Sequence, residues 1–209
     1  PQPQTPIYKL TIQEKKRILT DHIYGVDIDP QAVEVTKLSL MLKVLEGETE
    51  ETLNKVININ FERALPDLSN NIKCGNSLIG SDFYTGKTMS AYTEDELFKV
   101  NAFDWEKEFP QVLGIRDRGQ GNAGFDVVIG NPPYSAELDQ EERNYLEKKF
   151  RLQNTDTACL FMGLATNLLN NDGYNGFIVP KPFLYASNWI KIREKLLDNI
   201  QQIVDCSKV

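Results

Sequence analysis

The run Phe125-Asp126-Val127-Val128-Ile129-Gly130 constrains the fold more than any other stretch of the chain. β-Branched and aromatic residues bounded by glycines predict a short buried strand. Similar short runs stand at Ile23–Ile28, Asn71–Cys74, Gly176–Val179 and Gln201–Asp205, with helically spaced segments between several of them. Strands alternating with helices predict an α/β fold, a mostly parallel sheet with helices on its faces.

The helices announce themselves by their ends. Thr11 with Glu14 predicts a capping box for a helix reaching about Leu19. Asp29 before Pro30 predicts a cap and a first helical position, with Val33, Leu40, Met41 and Val44 on one face and Gly47 as the stop. Glu137–Lys149 and Asp156–Leu169 read as two more helices, the second ending at Asn170-Asn171-Asp172-Gly173. Asn188 is expected to cap a last helix to Leu197. Residues 1–20 are an irregular lead-in with a short helix, and Glu48–Ser69 is polar, with a helical turn expected at Glu51–Asn54. Residues 82–124 form a charged insertion with short helices near Glu94–Val100 and Trp105–Phe109, closing in a surface loop over 114–124.

Ligands of open α/β sheets bind at the carboxyl ends of strands, and Asn131, Pro132, Pro133 and Tyr134 stand at such an end. An exocyclic amino nitrogen is a poor nucleophile because its lone pair is delocalised. An Asn side-chain oxygen and a backbone carbonyl can accept both of its N–H groups and favour the charge that develops as it attacks carbon. Pro132 biases Asn131 toward an extended backbone, and Tyr134 offers a flat face for a planar target. A Pro-Pro turn with a packing tyrosine has the same composition and stays open at this point.

Composition excludes other chemistries. His22 is the only histidine, so triads and histidine metal sites are nearly ruled out, and no metal is expected. Cys74, Cys159 and Cys206 are odd in number and widely spaced, which fits reduced thiols in a cytoplasmic protein. No apolar run approaches the roughly 18 residues of a membrane span. A net charge of −7 argues against a large nonspecific nucleic-acid surface on these 209 residues.

Other residues suit a nucleoside ligand. Asp27 ends its strand where a carboxylate can accept hydrogen bonds from vicinal ribose hydroxyls, or simply be solvated. Asn76, in Gly75-Asn76-Ser77, suits an adenine edge or an Asx turn. Ser77 has no nearby base to activate it. Asp156 and Thr157 open a helix on which Phe161 suits either a cofactor wall or the core. Lys181 and Lys191 suit phosphate contact or plain solvation. Trp189 could face Tyr134 across a flipped base or pack inside.

Taken in order, YGVDIDPQAVEVTKLSL, GNSL, NPPY and GFIVP followed by FLYASNWIKIR resemble the large single-chain type II restriction–modification DNA adenine-N6 methyltransferases over nearly all of residues 18–209. The resemblance implies a Rossmann-like fold using S-adenosylmethionine, with Asp27 on the cofactor ribose, and Ile28 and Asn76 near its adenine. It gives Asn131 and the Pro132 carbonyl the amino-group contacts within the Asn131-Pro132-Pro133-Tyr134 motif. Tyr134 and Trp189 take the target-base stacking. Residues 21–209 are then a partial catalytic domain acting on double-stranded DNA in a bacterial or archaeal cytoplasm. The family's glycine-rich loop has no counterpart before Tyr24, so the resemblance implies an incomplete sheet lacking a central strand, with exposed edges through which a fragment could self-associate. Little or no activity is expected of such a fragment alone. A protein glutamine-N5 methyltransferase uses the same motif, a cytosine-N4 enzyme has a similar target, and an inactive methyltransferase-like scaffold is the reading from a different class.

Overall fold

The computed structural model describes residues 9–50, 66–86, 92–114, 123–134 and 136–206. The turn expected at Glu51–Asn54, most of the 114–124 loop and the first eight residues lie outside the described residues. Contacts cluster into two units, residues 1–77 with 94–101, and residues 78–93 with 102–209.

In the first unit, helix α1 (Ile12–His22) begins where Thr11 accepts the Glu14 N–H at 3.2 Å. The Glu14 carboxylate binds Arg17 instead of returning to the cap, so only half of the expected box forms. Strand β1 (Gly25–Asp27) leads to α2 (Pro30–Leu45), whose cap Asp29 accepts the Gln31 N–H at 2.8 Å. Strand β2 (Ile72–Cys74) lies parallel to β1, with Asp27 opposite Cys74. Val33, Leu68 and Ile72 form the small core, flanked by Leu19, Leu40 and Met41. Buried Asn71 fastens the helix end to the strand, its Nδ2 donating to the Thr20 and Ile23 carbonyls at 2.8 and 2.9 Å. Helix α3 (Glu94–Val100) completes the unit.

In the second unit, a 3-10 turn at Ser81–Tyr84 and the short helices α4 (Trp105–Glu108) and α5 (Pro110–Leu113) precede strand β3 (Phe125–Gly130). Phe109, fully buried, meets Phe103, Trp105 and Phe125 with ring centroids 5.7–6.3 Å apart, so residues 102–113 pack on the start of β3. Helix α6 (Gln140–Phe150) starts three residues later than expected, at a complete capping box between Asp139 and Glu142. Helix α7 (Thr157–Leu168) runs directly into β4 (Leu169–Phe177), parallel to β3. Helix α8 (Ile190–Leu196) follows two 3-10 turns. Leu152, Ala158, Cys159, Met162, Phe183, Trp189, Ile192 and Leu196 form the core behind the sheet.

Several expectations need correction. The strand placed at Gly176–Val179 begins at Leu169. The Asn170–Gly173 turn residues do loop out, since Phe125 pairs with Leu169 and Val127 with Tyr174, but the ladder resumes across them. Asn188 lies in a 3-10 turn, and α8 starts at Ile190 without a side-chain cap. Gln201–Asp205 is not a strand: no ladder partner reaches it among the described residues, and Ile203 and Val204 are exposed. The described strands form two two-stranded parallel sheets, a mixed α/β arrangement, where one larger sheet was expected. No described helix is long and apolar enough to cross a membrane.

The core makes a prediction about the thiols. Cys159 is sealed inside, and burial pushes its thiol up to about 12, whereas Cys74 and Cys206 are exposed. Iodoacetamide at mildly alkaline pH should label Cys74 and Cys206 in the native protein and Cys159 only after unfolding. Mass mapping that finds native Cys159 labelled would contradict its place in the core.

Candidate active site at the carboxyl end of β3

Strand β3 delivers the Asn131–Tyr134 loop from a fixed base. The Gly130 carbonyl accepts the Ile178 N–H at 3.1 Å, tying the end of β3 to the chain leaving β4. A side chain at Gly130 would press on the Phe177 ring at 2.8 Å, which is why the close approach needs glycine. Beyond it Pro132 is buried, Asn131 and Pro133 are exposed, and Tyr134 is 49% exposed. The loop therefore presents a neutral amide and an aromatic face to solvent while a proline anchors it inward.

The next helix secures the far side of the loop. Thr157 Oγ1 donates to the Pro133 carbonyl at 2.6 Å and accepts the Ala136 N–H at 3.3 Å. Thr157 is placed by its neighbours, since Asp156 accepts the Ala158 N–H at 3.0 Å and Asn154 Oδ1 accepts the Asp156 N–H at 2.9 Å. Arg151 and Gln153 adopt positive φ of 54° and 56° in this tight connection. Asn154 Nδ2 is buried there and finds no acceptor among the described residues. Thr157 was noted in the sequence only as part of a helix start. A β-branched residue beside a cap carries no signal that its hydroxyl reaches back 24 residues.

Phe161 lies half-buried on α7. Trp189 is 2% exposed, edge-on to Phe183 with centroids 6.1 Å apart, so its indole is part of the core and offers no open face beside Tyr134. Lys181 pairs with Asp205 at 3.2 Å and Lys191 with Glu194 at 3.4 Å, an ordinary surface use for both.

In the first unit, the ends of β1 and β2 bring Asp27, Ile28 and the Gly75–Asn76 turn together. The Asp27 carbonyl accepts the Gly75 N–H at 2.8 Å, and Asp27 Oδ1 accepts the Asp29 N–H at 2.9 Å. That second bond fixes the carboxylate and leaves Oδ2 without a hydrogen-bond donor among the described residues. The Asn76 N–H donates to the Asn101 carbonyl at 2.7 Å, with Asn101 at φ 45°. Asn101 was missed because it falls in the segment read as an insertion, although asparagine is enriched at positive φ. An exposed carboxylate with its rotamer fixed, an exposed aliphatic side chain at Ile28 and a polar turn form a donor and acceptor set that fits a nucleoside with vicinal hydroxyls. Among the described residues no group of three or more His, Cys, Asp or Glu is placed to hold a metal ion.

Comparison with known proteins gives a family match. The model of the Eco57I restriction-modification methylase family matches residues 21–209. The type II restriction enzyme and methyltransferase RM.Eco57I of Escherichia coli is 33% identical over 199 residues, covering 92% of this chain and 17% of that protein. A putative type II restriction enzyme and methyltransferase of Methanocaldococcus jannaschii is 22% identical over 300 residues, covering 91% of this chain and 24% of its own length. The adenine-specific methyltransferase BrxX of Escherichia coli O9:H4 is 29% identical over 77 residues, covering 36% of this chain and 6% of that protein. The chain thus spans less than a quarter of the first two relatives.

Proposed function

The chain belongs to the Eco57I restriction-modification methylase family, and on that premise we propose that it carries part of the active site of a DNA methyltransferase that uses S-adenosylmethionine to modify adenine N6. The observation that carries the reading is the Asn131–Tyr134 loop, which presents Asn131 and Tyr134 in the open at the carboxyl end of β3. Two of the relatives are named adenine-specific methyltransferases, which supports adenine over cytosine.

The bound cofactor would supply an electrophilic methyl group on a sulfonium. Asn131 Oδ1 and the Pro132 carbonyl accept the two N–H groups of the adenine amino nitrogen, which orients the nitrogen and favours its developing positive charge. Tyr134 stacks on the extruded base, offsetting part of the cost of unstacking it from the duplex. The nitrogen becomes acidic as it is alkylated, so its proton can leave afterwards without a strong base. The single histidine, His22, is exposed at the end of α1. Asp27 accepts from the ribose hydroxyls, with Ile28 and Asn76 near the cofactor adenine.

Nucleoside mass analysis of DNA incubated with S-adenosylmethionine and the native protein carrying this chain tests the reading. N6-methyladenine is expected. N4-methylcytosine or unmodified DNA would overturn it. Asp27→Ala should weaken cofactor binding by roughly 10- to 100-fold, the worth of about one hydrogen bond to a charged acceptor. Calorimetric titration with the demethylated cofactor product checks this, and an unchanged Kd removes Asp27 from the site.

A further inference from the structure

We infer that Thr157 is a positioning residue for methyl transfer, a hydroxyl strut that fixes the backbone on both sides of Tyr134; the inference rests on the methyltransferase reading above. Residues 131–134 and 136–139 have no regular secondary structure, so their backbone groups lack ladder partners. A hydroxyl has one hydrogen and two lone pairs, and Thr157 uses both capacities on this loop. It donates to Pro133 O at 2.6 Å and accepts from Ala136 N at 3.3 Å, while only 3% exposed.

The strut has a rigid foot. Thr157 is the first residue of α7, and the next three residues, Ala158, Cys159 and Leu160, are fully buried. The Pro133 carbonyl belongs to the peptide plane that joins Pro133 to Tyr134, so holding it sets the direction of the tyrosine ring. Pro132 lies one residue upstream, and its carbonyl is the one assigned to the substrate amino group. A hydroxyl 24 residues away in sequence thereby ties the reacting edge of the loop to the core. Misplacing such groups by about an ångström can cost a hundredfold in rate.

The test compares Thr157→Val, nearly isosteric but without the hydroxyl, with Thr157→Ser, which keeps it. In the native protein carrying this chain, Thr157→Val should lower kcat roughly 10- to 100-fold with cofactor Kd unchanged, and Thr157→Ser should recover most of the loss. The control is Thr166→Val, which removes a hydroxyl bonded to the Gly163 carbonyl at 2.8 Å in the same helix and should leave kcat at wild type. Amide exchange at Ala136 should quicken in Thr157→Val and not in Thr166→Val. If Thr157→Val does not fold, Thr157→Ala carries the same comparison. Wild-type kcat in the hydroxyl-less variant, equal impairment in Thr157→Ser, or unchanged exchange at Ala136 each overturns the strut. A wild-type protein that transfers no methyl group to DNA overturns the functional reading instead, and the exchange measurement still decides the strut.

Discussion

Asn131→Ala lowers kcat by on the order of 10²- to 10³-fold, with the cofactor Kd and the unfolding midpoint close to wild type. The side chain is exposed on a loop, so its removal leaves no cavity. Its proposed contact strengthens as charge develops on the attacking nitrogen, and an interaction of that kind acts on turnover more than on ground-state binding. Asn131→Asp extends the argument. A carboxylate still accepts hydrogen bonds, but its charge and solvation differ from those of the neutral amide, so turnover should stay impaired without loss of fold. Single-turnover rates with labelled cofactor measure the effect, and wild-type rates in Asn131→Ala would remove the residue from the chemistry.

Trp189→Ala has the largest expected effect on stability, a loss of about 3–5 kcal/mol. The indole is enclosed with Phe183, Ile192, Leu196 and Met162, so truncation opens a void that this core cannot easily close. Tyr134→Ala is the useful contrast. Half of that ring faces solvent, and its loss should shift stability by less than about 1 kcal/mol while impairing binding of the target base. Urea denaturation with slopes held equal separates the two. A Trp189→Ala protein with an unchanged midpoint would return the indole to a role at the surface.

That contrast shows where sequence reasoning succeeded and where it stopped. Features written locally were legible: Asp29 and Pro30 at the start of α2, the Thr11 hydroxyl on Glu14, the position of β3 and the Asn-Pro-Pro-Tyr turn behind it. The burial expected of β3 was not met, since Val127 and Ile129 are exposed: its apolar run marks a strand but does not say what covers it. The α6 start was equally local, but Glu137 and Leu138 look helical and masked the Asp139–Glu142 pair that fixes the boundary. The rest depends on distant partners. Ile203 and Val204 have strand-forming side chains and no neighbouring strand among the described residues, and propensity alone does not make a ladder. An aromatic residue after a loop serves a base platform and a core equally well, and only packing assigned Trp189 to the core. Thr157 and Asn101 act through contacts that local sequence patterns do not encode.

The excursion at Asn170–Gly173 has a practical consequence for engineering. Four residues leave the β3–β4 ladder and rejoin it, held on one side by Phe125 opposite Leu169 and on the other by Val127 opposite Tyr174. Asn171 and Asp172 are exposed, whereas a side chain at Gly173 would meet the Phe125 carbonyl at 2.8 Å. Lengthening a loop adds closure entropy only slowly, about 0.6 kcal/mol per doubling. A reporter peptide or dye spliced between Asn171 and Asp172 would ride on the same sheet as the Asn131–Tyr134 loop. It would sit at the amino-terminal edge of the strands, four to five residues from the carboxyl end at about 3.3 Å each. The chain thus offers an attachment point set back from the proposed chemistry yet rigidly connected to it.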